Sequence, residues 1–298
     1  MAKRLRSPIR WLGGKGLMVA KLLPLIPPHR IYVEPFGGGA NLLLAKEPSL
    51  VEVYNDLDSG LVNFFRVLRD EEKFARFYKQ VRLTPYSREE FYYCKETWEN
   101  EEDEVMRAVK WFVLARQNFG GVFGNSWGFA VTASNRGMSD VTSKWLSTID
   151  MLPDICERLL RVEIEHQDFR NIFATYDTEE TFFYVDPPYV PQTRRAGQYK
   201  HEMTAEDHQD LVDILLHIKG KAMLSGYDND IYKRLEEHGW VKLTFERTCS
   251  TVGRTRNTNL LGDGALKNKQ PRTECVWLSP NCETIPLKTQ QLELIDES

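Results

Sequence analysis

Residues 182–189 read Phe182-Phe183-Tyr184-Val185-Asp186-Pro187-Pro188-Tyr189. The first four are apolar and suited to a strand. The two prolines cannot continue a strand or a helix, because each lacks an N–H and holds φ at about −65°. The chain must therefore leave the sheet stiffly, at the rim of a cleft. At that rim it places a carboxylate, a proline carbonyl and an aromatic ring. The carboxylate and the carbonyl can both accept protons from one amino group, while the ring stacks on a flat heterocycle. Such a set holds an exocyclic amine still while it reacts. A surface turn after a buried strand would use the same letters, so the motif needs companions.

The companions lie upstream. Residues 31–36 (Ile-Tyr-Val-Glu-Pro-Phe) read as a short strand opening onto Gly37-Gly38-Gly39-Ala40, and a helical stretch, Asn41–Lys46, follows. Residues 50–55 read as a second strand ending at Asp56, and the next helix carries Leu61, Phe64, Phe65 and Leu68 on one face. Strand, glycine turn, helix, strand, acid is the order of a nucleotide-binding βαβ unit. Glycines let the backbone approach a ligand closely, and a helix start offers free N–H groups. Leu42 stands where the last glycine of a dinucleotide fingerprint would be, which argues against a dinucleotide. Asp56 is placed to accept both ribose hydroxyls of an adenosine, or to cap a helix, a role Asp58 or Ser59 could also fill. Trp11-Leu-Gly-Gly-Lys15-Gly16 is a loop but not a P-loop, since no strand precedes it and no Ser or Thr follows the lysine.

From 72 to 160 the pattern changes. Helical segments at 88–98 and 103–117 lead into the glycine- and aromatic-rich stretch Asn118–Val131, which reads as a hairpin with a tight tip, and a helix over 143–160 returns the chain. Strands are then expected at 161–165, 181–185, 220–225, 240–247 and 273–278, with helices at 205–218 and 228–237. Thr204 with Asp207 forms the N-terminal cap of the first of these helices. The expected fold is an α/β doubly wound core, 1–71 and 161–298, with an inserted lobe at 72–160.

The 298 residues carry a net charge of −4, which does not announce a nucleic-acid binder. Basic residues are clustered, however: Arg194, Arg195 and Lys200 in one stretch, and a second over 247–272. Five cysteines with no C-x-x-C pair suggest reduced thiols in a cytosol-like compartment, with no zinc site. Gly13-Gly14-Lys15-Gly16 and Lys21 interrupt any signal-peptide core, and no run approaches the ~20 apolar residues of a membrane span. His201, Glu202 and His208 complete no ligand set, so no metal is expected. Trp98, Trp111, Trp145 and Trp240 are expected in the core or at an interface.

Five motifs occur in order: Pro8–Lys15, Val33-Glu-Pro-Phe-Gly-Gly-Gly-Ala40, Asn55-Asp56, His166-Gln-Asp168-Phe169 and Asp186-Pro-Pro-Tyr189, closed by Arg272-Thr-Glu-Cys-Val-Trp277. Together they resemble the Dam-type (D12 class) DNA N6-adenine methyltransferases. The resemblance implies a methyltransferase sheet that binds S-adenosyl-L-methionine, with a target-recognition lobe inserted before the D-P-P-Y motif. It assigns Trp11, Lys15, Glu34, Phe36, Gly37, Gly39, Asp56, Asp168, Phe169 and Asp186 to the cofactor, with Lys15 near its carboxylate, Asp56 on the ribose and Phe169 packed on the adenine. Asp186, Pro187, Pro188 and Tyr189 would hold the target base, with Tyr189 stacked on it. Arg116, Asn118, Asn125 and Arg136 would face DNA from the lobe, and Arg194, Arg195 and Lys200 would hold phosphates. The implied partner is double-stranded DNA met by a cytoplasmic monomer, with a cognate restriction enzyme possible. A cytosine-N4 enzyme would use the same amine logic but more often resembles S-P-P-Y. A silent DNA-binding protein on the same fold has little reason to keep Lys15 and Asp186 together.

Overall fold

The computed structural model describes residues 4–11, 13–121, 123–190, 201–247 and 272–282. Its strands are β1 (Ile31–Glu34), β2 (Val51–Asn55), β3 (Ser134–Asn135), β4 (Met138–Ser139), β5 (Glu163–Glu165), β6 (Thr181–Val185), β7 (Lys221–Gly226), β8 (Val241–Arg247) and β9 (Arg272–Leu278). Seven of them form one sheet in the order β5-β2-β1-β6-β7-β9-β8, and β3 pairs only with β4. The β1, β2, β5, β6 and β7 pairings are parallel, while β9 runs antiparallel between β7 and β8. The chain thus winds outward from β1 through β2 to β5, then returns to β6 on the other side of β1. That reversal opens a crevice at the carboxyl ends of β1 and β6, where open α/β sheets bind ligands.

Strand alternation divides the core in two. Tyr32, Phe182 and Tyr184 face one layer, whereas Val33, Phe183 and Val185 face the other. The second layer holds α8 (Phe169–Tyr176), α9 (Ala205–His217) and α10 (Lys233–Glu237). The first holds α1 (Val19–Leu22), α2 (Asn41–Ala45), α3 (Ser59–Leu68), α4 (Glu71–Leu83), α5 (Arg88–Thr97), α6 (Glu104–Gln117) and α7 (Asp140–Leu159). Side-chain caps fix where many of these helices begin: Asp58, Asp70, Ser87, Asp103, Asp168 and Thr204 each accept from a backbone N–H of the first turn. Thr204 and Asp207 form the expected reciprocal box. Among the described residues, no helix is long and apolar enough to cross a membrane. Cys94, Cys156, Cys275 and Cys282 are free and buried, and Cys249 lies outside the described residues.

The structure departs from the sequence reading at several places, among them the helix expected over 228–237, of which only α10 (Lys233–Glu237) forms, and the unanticipated short α1. Helices α4 and α8 were not anticipated, although Phe74, Phe77, Tyr78 and Val81 repeat at helical spacing, as do Phe169, Ile172, Phe173 and Tyr176. The stretch 118–131 is not a regular hairpin. It is a turn-rich loop closed by one bridge between Asn118 and Trp127. The regular hairpin is β3–β4, whose tip is Arg136-Gly137, both at positive φ as a tight two-residue turn requires.

Helices α4 to α7 share one apolar cluster with α3 and the sheet face. Phe64 of α3 stacks on Phe112 at 5.4 Å and on Trp111 at 5.3 Å, and meets Phe77 of α4 edge-on. Gly60 makes this possible, since a Cβ there would collide with Trp111. Phe64→Ala should therefore cost about 3–5 kcal/mol. It should lower a single unfolding transition seen alike by tryptophan fluorescence and far-UV circular dichroism in urea. Two separate transitions would mean that the lobe has a core of its own.

Candidate active site

The crevice is built from the sequence outward from β1. At its carboxyl end the Gly37 N–H donates to the Asn55 carbonyl at 2.7 Å. The Asn55 amide donates to the carbonyls of Pro35 (2.8 Å) and Gln167 (3.0 Å) and accepts from the Gln167 N–H (2.9 Å). One buried side chain thus joins the ends of β1, β2 and β5. A Cβ at Gly37 would overlap the Tyr54 ring, so only glycine lets the turn lie this low. Gly38 has φ +47° and passes beneath Trp11, and its carbonyl accepts from the Tyr54 hydroxyl at 2.8 Å.

Asp56 is half-buried beside this turn. Its carboxylate accepts from the N–H groups of Gly38 (2.9 Å) and Asp58 (2.8 Å), while burial pushes its pKa up to about 6. The cap of α3 is Asp58, which leaves Asp56 facing the cavity. Phe36 and Phe169 lie 5.3 Å apart as an apolar wall, and the Arg170 guanidinium covers Phe169 at 4.5 Å. Asp168 caps α8 and pairs with Arg170 at 3.1 Å, and Arg170 also binds Asp207 and Asp210. Glu34 is fully buried, with Oε1 accepting from the Tyr32 hydroxyl (2.7 Å) and the Leu43 N–H (2.9 Å). Burial outweighs these hydrogen bonds and pushes the Glu34 carboxyl up to about 8. Its bonds to Tyr32 and Leu43 anchor α2 to β1, although it also lines the cavity.

The opposite wall is the exit from β6. Lys15 reaches it from the N-terminal loop, and its ammonium lies 2.6 Å from Asp186 Oδ1, 2.5 Å from the Tyr189 hydroxyl and 3.2 Å from Glu274 Oε1. Only 2 % of Lys15 is exposed. Burial opposes its charge, but Asp186, Tyr184 and Glu274 more than offset this and hold its pKa well above the usual lysine range. Lys15 also lines the cavity, and its ammonium is held toward the D-P-P-Y rim by the half-buried Asp186 and the buried Glu274. Tyr189 is placed differently from expectation. Its ring packs edge-on to Tyr227 at 4.5 Å, with the Lys15 ammonium 4.7 Å from its centre and its hydroxyl donating to Glu274. Asp186, Pro187 and Pro188 line the cavity, and Tyr189 stands behind them.

Both walls enclose one cavity of about 270 Å³ that also meets Trp11, Phe123, His201 and Met203. Sequence reasoning quoted Asn55 and Glu274 within motifs but gave them no role. Glu274 had a signal, a lone acid among the apolar positions of β9.

The lobe residues divide. Arg116 lies inside the lobe, with Nη2 donating to Thr148 Oγ1 at 2.6 Å, and burial together with nearby Arg10 pushes its pKa down to about 9. Asn118 is corrected outright: it is fully buried and its amide donates to the Leu114 and Ala115 carbonyls, closing the end of α6. Asn125 is exposed, and Arg136 sits at the exposed β3–β4 tip with its guanidinium on Ser143. Arg194, Arg195 and Lys200 lie outside the described residues. His208 is buried against the Tyr232 hydroxyl at 2.9 Å. Among the described residues no three His, Cys, Asp or Glu side chains gather as metal ligands.

Comparison with known proteins agrees with this geometry. A model of the D12 class N6 adenine-specific DNA methyltransferases matches residues 11–248. A DNA adenine methylase of Vibrio cholerae is 23% identical over 86% of this chain and 94% of its own length. A Type II methyltransferase of Lactococcus lactis is 26% identical over 78% of this chain and 84% of its own. The DNA adenine methylase of Escherichia coli K12 is 22% identical over 85% and 92%.

The buried Glu34 carboxyl gives a pH test. Its folded pKa, about 8, lies above the ordinary 4.5, so its stabilising contribution is complete below 4.5 and is lost as pH rises through 8. Glu34→Gln keeps an acceptor for Tyr32 without the charge. Urea midpoints across this range should show wild type losing stability relative to the variant as pH rises. A constant difference would mean that Glu34 is not held protonated.

Proposed function

Because the chain belongs to the D12 class N6 adenine-specific DNA methyltransferase family, we propose that S-adenosylmethionine and a flipped adenine meet in the cavity between the Gly37–Gly39 turn and Asp186. The reaction is transfer of a methyl group to adenine N6 in DNA. The observation that carries the site assignment is the crevice at the sheet's reversal, which sets the β1 cradle against the β6 exit across one cavity.

The residues present suit the cofactor. Asp56 offers a carboxylate to paired ribose hydroxyls, the Phe36–Phe169 wall suits a flat ring, and the glycine turn lies low enough for close approach. When bound, S-adenosylmethionine supplies a sulfonium methyl, made electrophilic by the adjacent positive charge. The protein's own task is to prepare the amine. The N6 lone pair is delocalised into the adenine ring, so the amine is a poor nucleophile. In the proposed pose its two N–H groups donate to Asp186 and to the Pro187 carbonyl, which favours a pyramidal nitrogen with its lone pair aimed along the line of attack. Lys15 fixes the Asp186 carboxylate for this, so most of the acceleration is positioning in a partly dry site.

The base must leave the duplex to arrive, at a cost of a few kcal/mol. Sequence reading falls to the exposed surface of the lobe between 119 and 139. Asn125, Phe119, Phe129 and the β3–β4 tip are outward there, and the stack of Arg88 on Trp127 supports the loop from beneath.

The test is transfer of labelled methyl from S-adenosylmethionine to unmethylated DNA, with the nucleosides then resolved. Wild type should label N6-methyladenine, and Asp186→Ala should lose on the order of 100-fold or more in rate while still binding DNA. Label in N4-methylcytosine would overturn the target base. An active Asp186→Ala would overturn the site.

A further inference from the structure

Glu274 has the surroundings of a working residue. It lies on β9, opposite Phe245 of β8, and is 1 % exposed. It accepts from the Tyr189 hydroxyl and lies 3.2 Å from the Lys15 ammonium. An acid this deep in a sheet is costly unless it is paired, and both of these partners belong to the reaction rim. Lys15 in turn lies 2.6 Å from Asp186. One ammonium is therefore divided between two carboxylates, one at the cavity and one behind it.

We infer that Glu274 is a positioning residue for methyl transfer: it anchors the Lys15 ammonium and the Tyr189 hydroxyl from behind, so that the close Lys15–Asp186 pair keeps one orientation and Asp186 retains enough of its charge to accept from the amine. This rests on the reading of Asp186 given above. The physical reason is competition. A buried ammonium paired with a single carboxylate is drawn fully onto it, and a carboxylate so engaged is a weaker acceptor for another donor. The second carboxylate, at 3.2 Å against 2.6 Å for Asp186, draws off part of that pull. It also fixes the tyrosine, whose ring continues the rigid exit set by the two prolines. The arrangement cannot be supplied locally, because β9 reaches this place only by entering the sheet between β7 and β8.

Among the described residues, the charged and titratable groups facing Asp186 include Lys15 from the N-terminal loop, Tyr184 on β6, Glu34 on β1, Tyr232 after β7, and Glu274 on β9 through Lys15. Glu274→Gln removes one negative charge from this set and keeps the shape. The acid limb of the kcat profile should then move to lower pH, because the lysine's charge is no longer shared. The value of kcat should fall on the order of 10-fold to 100-fold, while KM for DNA and the affinity for S-adenosylmethionine change by less than about 3-fold. Glu274→Asp keeps the charge at shorter reach, so it should lose rate but hold the acid limb at the wild-type pH.

A Glu274→Gln enzyme with wild-type kcat and pH profile would overturn the inference. So would a loss of activity equal at every pH and matched by a loss of folded protein, which a merely structural residue would give. If Glu274→Gln does not fold, Glu274→Asp decides the matter, since wild-type kcat in that variant also overturns the inference. Asp186→Ala in the same assay separates the two levels: if it remains active the underlying reading fails, and if it is dead while Glu274→Gln is normal only the role of Glu274 fails.

Discussion

The structure depends on one buried cation. Lys15 lies far from Asp186 and farther from Glu274 in sequence, yet its ammonium joins the N-terminal loop to the exit of β6 and the middle of β9. A lysine that is 2 % exposed would be destabilising alone, and two carboxylates and a hydroxyl in reach make it tolerable. The consequence is geometric. To deliver Lys15, the loop must cross the carboxyl ends of β1 and β6, and that crossing seats Trp11 over Gly38. The cradle is therefore closed from above by the same segment that fixes the acceptor on the far wall. Losing one carboxylate would free the pair's geometry, and losing the lysine would leave the buried Glu274 and the half-buried Asp186 without its charge.

A second buried ion network sets where the lobe stands relative to this cleft. Arg158, near the end of α7, donates to both oxygens of Glu52 on β2 and to the Leu43 carbonyl. Lys46 binds the same Glu52 at 2.6 Å. The other end of the lobe is held by the Phe64 stack on α6. Helices α6 and α7, which flank the outward loop between 119 and 139, are thus both tied to the core that carries the cavity.

What the sequence made legible follows physical range. The strands near the site could be read because each is a short apolar run stopped by glycine, proline or an acid, and the doubly wound class followed from their alternation with helices. Helices α4 and α8 carried a readable period that was passed over beside stronger signals. Arg116 and Asn118 were misleading for a different reason. Polar residues beside a glycine-rich loop look outward in sequence, but Asn118 is spent on the carbonyls that α6 leaves open, and Arg116 on Thr148 of α7. No local pattern separates a cap from a contact. The partners of Glu274 and the orientation of Lys15 could not be read, because they arise only when β9 enters the sheet out of sequence order.

The cradle at β1 and the carboxylate at the exit of β6 are two walls of one cavity, proposed above as the place of reaction. The most direct measurement is the anomalous signal of the sulfur in crystals grown with S-adenosyl-L-homocysteine. The account predicts a sulfur peak inside the cavity between the Gly37–Gly39 turn and Asp186, with the ribose on Asp56. A peak outside that cavity, or a ribose held elsewhere with Asp56 still bound only to Gly38 and Asp58, would contradict it.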